Sequence, residues 1–195
     1  MQLTDKVYTE LKQDVFNAKY KPNTLIKEKE IAEKYDVSRL TAREALHRLC
    51  AEGHLISYPR SGYMISVLSA EEINQIIKLR EVVEPFMIEI ACTEASGEAI
   101  RSLRQHLHQA NESDRSSAEA VASNREFHLA IAEITGNKFL YSMMDDLLGT
   151  LSRMEFTIAS SNTSWTDYHV AIVDALEARN VDLAKELILK DISQY

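Results

Sequence analysis

Apolar residues recur at three- and four-residue intervals along most of this chain, the spacing that lines one face of an α-helix. The pattern predicts helices over Thr4 to Asn17, Lys27 to Lys34 and Ser38 to Ala51. It then changes period. His54 to Tyr58 and Tyr63 to Val67 are short β-prone runs joined by Pro59-Arg60-Ser61-Gly62, which predicts a hairpin with a basic tip. Ser69-Ala70-Glu71-Glu72 is a capping box and opens a long helix reaching about Thr93. Further helices are predicted over Glu98 to Asn111, Ser117 to Ile134, Asn137 to Ser160, Ser164 to Asn180 and Val181 to the end. The expected fold class is mainly α. An N-terminal winged helix-turn-helix, three helices plus a β-hairpin wing, fills 1–68, and an all-α antiparallel bundle of about six helices fills 69–195.

The charge sharpens this division. The chain has 195 residues and a net charge of -8, which by itself argues against a polyanionic partner. Residues 1–68, however, carry eleven Lys and Arg against nine Asp and Glu, so the acidic surplus belongs wholly to the second part. Cys50 and Cys92 are the only cysteines and suggest neither a disulfide framework nor a zinc knuckle, so a reduced, cytoplasmic protein is expected. No apolar run is long enough for a bilayer, which predicts no membrane partner. A dinucleotide fingerprint, a P-loop and a nucleophile elbow are all missing from the sequence.

Helix, turn, helix and hairpin in this order place the second helix of the pair in the major groove of double-stranded DNA. Asp36-Val37 closes the turn, Ser38 is placed as N-cap, and Arg39, Thr41 and Arg43 project from the first turns. Arginine can clamp phosphate and pair bidentately with guanine, so these side chains supply both register and readout. Ala42, Leu46 and Leu49 form the inward face. With Val37 to Gly53 matching VSRxTxREALxxLxxEG, the stretch Leu25 to Ile65 closely resembles the signature of the GntR family of bacterial regulators. That resemblance implies DNA contacts from Lys29, Ser38, Arg39, Thr41 and Arg43, with the wing tip Arg60, Ser61 and Gly62 at or near the minor groove. One departure is Lys21-Pro22-Asn23, where the family usually has Pro-Gly.

In the second part, helical periodicity turns several polar residues inward. Asn124 and His128 share a stripe with Val121, Phe127, Ile131 and Ile134; His169 lies among Trp165, Ile172, Val173 and Leu176; Asp191 among Ala184, Leu187 and Ile188. Arg80 sits among Ile73, Ile76, Val83 and Met87 with Glu84 one turn on, so it can face a polar pocket or pair with Glu84. Buried polar groups need partners, and these stripes can converge either on one polar pocket or on a hydrogen-bonded core. Phe127, Met143, Met154 and Trp165 are candidate pocket walls, whereas His106, His108 and Asp145-Asp146 fit a solvated surface.

Residues 70–195 resemble the FCD effector-binding domain of FadR-type regulators. The resemblance implies a divalent metal, zinc or nickel, held by Asn124, His128, His169 and Asp191 at the floor of a cavity for a small organic acid, with Arg80, Asn124, His128 and His169 facing that effector. Two of the four metal positions differ from the usual pattern: an Asp has become Asn124 and a His has become Asp191. Two imidazoles and a carboxylate remain a competent donor set. The expected protein is thus an effector-responsive DNA-binding regulator, a repressor acting as a homodimer on a palindromic operator. A metal-dependent enzyme fused to a DNA-binding module, or an architectural DNA binder without effector sensing, are the alternatives.

Overall fold

The computed structural model describes residues 3–17, 19–20, 24–107, 118–158 and 168–194. Helix α1 (Leu3–Phe16) leads into a two-residue strand β1 (Leu25–Ile26), then α2 (Glu28–Lys34), α3 (Arg39–Ala51) and the hairpin β2 (Leu55–Tyr58) and β3 (Gly62–Ile65). The hairpin is not alone. β1 pairs antiparallel with β3, giving a three-stranded sheet of order β1-β3-β2 that the sequence pattern did not predict. Gly62 makes this possible. A Cβ there would lie 2.5 Å from the Ile26 carbonyl oxygen, so any larger residue would push β1 off the sheet.

The chain reverses between α2 and α3 through Asp36, whose φ is 50°. Ser38 then starts α3, its hydroxyl accepting from the Thr41 amide at 3.1 Å. Ala42, Ala45, Leu46 and Leu49 of α3 are fully buried and pack with Val7, Leu11 and Phe16 of α1, forming one core. Arg39, Arg43 and Lys29 stay on the outside.

Six α-helices follow among the described residues: α4 (Ala70–Glu94), α5 (Gly97–Ser102), α6 (Ala118–Ile134), α7 (Lys138–Ile158), α8 (His169–Glu177) and α9 (Val181–Ile192). They enclose a second core around Met87, Phe127, Ile131, Ile172 and Ile188. The capping box forms as expected, Ser69 accepting from the Glu72 amide while Glu72 accepts from the Ser69 amide. The expected helix over Glu98 to Asn111 is shorter: α5 ends at Ser102 and passes into a 3-10 turn, Leu103–His106. Asn180, the N-cap of α9, accepts from the Leu183 amide. No helix among the described residues is long and apolar enough to cross a membrane.

Candidate functional site

On the first turns of α3, Arg39 and Arg43 are exposed and Thr41 is half-buried, and the wing stands beside them. Arg43 is held bidentately by Glu28 of α2, through Nε at 2.8 Å and Nη2 at 2.9 Å. The same carboxylate accepts from Tyr63 of β3 at 3.2 Å, so one acidic side chain ties α2, α3 and the wing together. Arg43, then burial against it, sets the Glu28 acidity, with the net effect of holding this carboxyl below its usual range. Lys29 is exposed and pairs with Glu33 one turn on, at 3.6 Å. At the wing tip Ser61 donates its amide to the Tyr58 carbonyl at 3.0 Å, closing a turn over Pro59 and Arg60. Arg60 has φ 65°, a conformation that favours glycine. A side chain is thus kept where the backbone would prefer none. Arg43 and the wing, from Ser57 to Tyr63, line an open cleft of about 380 Å³.

Inside the bundle, α4, α6, α8 and α9 bring Arg80, Glu84, His128, His169 and Asp191 together, all buried. Glu84 is the hub. Its Oε1 accepts from Arg80 Nε at 2.5 Å and its Oε2 lies 2.7 Å from His128 Nδ1. The i+4 pairing of Arg80 with Glu84 was one of two readings of the sequence; the bridge to His128, 44 residues on, was not legible there. Burial favours the neutral form of Glu84, but Arg80 and then His128 hold its carboxyl down to about 2. Burial would likewise lower the His128 imidazole, and Glu84 and Asp191 instead raise it to about 9.

The far nitrogen of His128, Nε2, stands 3.2 Å from Asp191 Oδ2 without making an aligned hydrogen bond. His169 Nε2 lies 3.7 Å from Asp191 Oδ1. Phe127 positions His169 by stacking on it, with ring centroids 3.9 Å apart, and the two imidazoles meet edge to face. One donor atom from each of His128, His169 and Asp191 falls within 4.8 Å of the others. Donors of a tetrahedral ion with bonds of about 2.1 Å stand roughly 3.4 Å apart, so a small inward shift completes the set. The residues fit a divalent metal. With Nδ1 hydrogen-bonded to Glu84, His128 can offer Nε2 for coordination once a metal displaces the proton there, the usual arrangement of a histidine ligand oriented by a carboxylate.

Asn124 lies one turn before His128 on α6 and is half-buried. Of the candidate walls, Phe127 is fully buried against His169, whereas Met143 is not in the pocket: it is 44% exposed on the outer face of α7. Its stripe faces a surface groove with Val82, Phe86 and Phe139 rather than the polar centre. The Met154 side chain, Trp165, His108 and Lys21 to Asn23 fall outside the described residues. Asp146 lies on the surface as expected and pairs there with Lys12, whereas Asp145 is half-buried against Arg125.

The sequence model for bacterial regulatory proteins of the gntR family matches residues 3–65, and that for the FCD domain matches residues 75–194. An uncharacterised HTH-type transcriptional regulator, YdhC of Bacillus subtilis, is 26% identical over 188 residues, covering 93% of this chain and 84% of the relative. The Nta operon transcriptional regulator of Aminobacter aminovorans is 28% identical over 177 residues, covering 90% of this chain and 84% of the relative. Among solved structures, Escherichia coli McbR/YncC superposes over 100% of this chain and 95% of its own with a TM-score of 0.86 at 21% identity, a likeness of fold. The Bacillus subtilis and Aminobacter aminovorans relatives are both named as transcriptional regulators. The chain therefore belongs to the GntR family of DNA-binding transcriptional regulators and carries an FCD domain behind its winged helix-turn-helix.

Proposed function

We propose that the protein is a ligand-responsive repressor whose 1–68 unit binds a palindromic operator as a homodimer, and whose 69–195 unit senses a small organic acid through a bound divalent metal, zinc or nickel. The observation that carries the sensing half is the buried convergence of His128, His169 and Asp191, with His128 oriented by Glu84. Asn124 is the fourth donor. When bound, the metal supplies a Lewis-acidic anchor for an effector carboxylate. Asn124, His128 and His169 surround that anchor, and Arg80, paired with Glu84, adds positive charge behind it.

On the DNA side, Arg39, Thr41 and Arg43 meet base edges and phosphates, Ser38 caps the helix that carries them, and Lys29 with Arg60, Ser61 and Gly62 meets the backbone. Assembly is supported by an apolar groove of about 390 Å³ between α4 and α7, where Val82 and Phe139 are 72% and 76% exposed. Exposed apolar surface of this kind is stable in water when a second subunit covers it. Two recognition helices then span half-sites about 34 Å apart.

The test is elemental analysis of protein purified without chelator, alongside His128→Ala and His169→Ala. Stoichiometric zinc or nickel in the parent and none in the variants is expected. Absence of metal from all three, with no zinc-dependent rise in melting temperature, refutes the metal reading. Arg39→Ala and Arg43→Ala each cost about 1–3 kcal/mol in operator affinity if they read DNA, and unchanged binding removes them from the interface. Light scattering checks the dimer, which Phe139→Asp should dissociate.

A further inference from the structure

Helix α1 is gripped on two sides. Toward the recognition helix α3, Thr4 donates to Glu44 at 3.2 Å, Arg48 donates to Asp5 at 2.9 Å and Tyr8 donates to Glu52 at 2.6 Å. Toward the bundle, Lys12 pairs with Asp146 of α7 at 2.7 Å. Further along, Phe16, fully buried, lies against Gly149 of α7. A Cβ on Gly149 would stand 2.1 Å from the Phe16 ring, a contact no structure tolerates unmoved. Glycine is unfavourable in the middle of a helix, so this close approach is the physical reason for its presence in α7.

Arg125 closes the same junction from α6. It is 4% exposed, directly follows Asn124 and precedes His128 by three residues. Its guanidinium pairs with Asp145 of α7, donates to Gln13 at 3.3 Å and Asn17 at 3.4 Å, and stands 5.3 Å from the centre of the Phe16 ring. One helix therefore carries two of the four proposed metal donors, Asn124 and His128, and the side chain that holds the DNA-binding unit.

We propose that Phe16 in the Gly149 notch, clamped by Arg125, is a latch that fixes α1 and the recognition helix on the bundle, and that Arg125 transmits the state of the Asn124 and His128 turn of α6 to DNA affinity. The transmission half rests on the metal reading above; the latch itself does not. Rearranging α6 to close around an ion displaces Arg125, because one rigid helical turn separates it from His128. The latch converts that displacement into a rotation of α3.

The test uses the full-length protein, a duplex selected from a random library with the parent, and zinc as probe. Gly149→Ala drives a methyl into the Phe16 ring and Arg125→Gln removes the cation. Each is expected to change the duplex Kd at least fivefold in metal-free protein, with helical content unchanged by circular dichroism. Phe16→Leu placed in Gly149→Ala makes room for the methyl and should return the Kd toward that of the parent, an outcome that general loss of stability does not produce. A Kd within twofold of the parent in both single variants overturns the latch. In the zinc arm, the parent Kd shifts with zinc, whereas Arg125→Gln binds zinc equally well and shows no shift. Zinc bound by the parent with a shift preserved in Arg125→Gln overturns the transmission. No zinc bound by the parent rejects the metal reading and transmission together, and leaves the latch to be judged on the metal-free Kd.

Discussion

Replacing Glu84 by Gln tests the buried centre most severely. Both carboxylate oxygens are committed, one to Arg80 Nε at 2.5 Å and one to His128 Nδ1 at 2.7 Å, and both Arg80 and Glu84 are wholly buried. Gln keeps the shape and removes the charge, so the Arg80 guanidinium loses its counter-ion inside the protein. Breaking a buried pair in this way costs roughly 3–5 kcal/mol, far more than the pair contributes over an apolar replacement of equal volume. For a chain of this size each kcal/mol corresponds to about 2–4 °C, so the melting temperature should fall by roughly 10 °C. Thermal and urea unfolding of metal-free Glu84→Gln measure the loss, and the Arg80→Met/Glu84→Leu double variant serves as control. That double variant removes both charges and should recover most of the stability. On the metal reading proposed above, zinc affinity should fall about 10- to 100-fold in Glu84→Gln, because His128 exchanges its carboxylate partner for a neutral amide. A destabilisation under about 1 kcal/mol would refute the reasoning, since the Arg80 charge would then be compensated without Glu84.

Three other outcomes are expected. Asp14 is buried and accepts from Lys19, Lys34 and Tyr35; burial opposes its ionisation, yet these three partners hold its carboxyl below the usual range. Its stabilisation is therefore fully present above the unfolded carboxylate pKa of about 3.9 and lost as pH falls through the lower folded value, so Asp14→Asn should flatten acid unfolding followed by circular dichroism below about pH 4. Arg60→Gly removes left-handed strain at φ 65° and should raise stability by about 1 kcal/mol while weakening all DNA sequences alike and reducing the salt slope. Asn124→Asp restores a carboxylate beside His128 and should tighten zinc binding measured by competitive titration; weaker or unchanged binding would show that position 124 is not a ligand.

The legible parts of this protein are those set by local rules. Ser38 and the Ser69 to Glu72 box announce helix starts because capping needs only neighbouring residues, and the inward positions of Leu46, Phe127 and Asp191 follow from a 3.6-residue period. Periodicity assigns a residue to a face and says nothing of which faces meet. That is why Arg80 with Glu84 was visible as an i+4 pair, while His128 on the same carboxylate was not. Asp145 looked like solvated surface for the same reason: its partner, Arg125, comes from another helix. β1 has two residues, too few for any alternation, and exists because Gly62 lets its backbone approach β3.

The grip of Glu28 on Arg43 has a bearing on how such a reader avoids the wrong DNA. Glu28 holds the Nε and Nη2 edge of Arg43, so a phosphate or guanine approaching that edge would have to displace a carboxylate that also repels the phosphate backbone. Every sequence meets this toll. On the reading proposed above, only a site that offers further matched contacts to Arg39, Thr41 and the wing would recover it, so random DNA would be released quickly and the operator retained. Discrimination would then come as much from an internal competitor for that arginine as from the arginine itself.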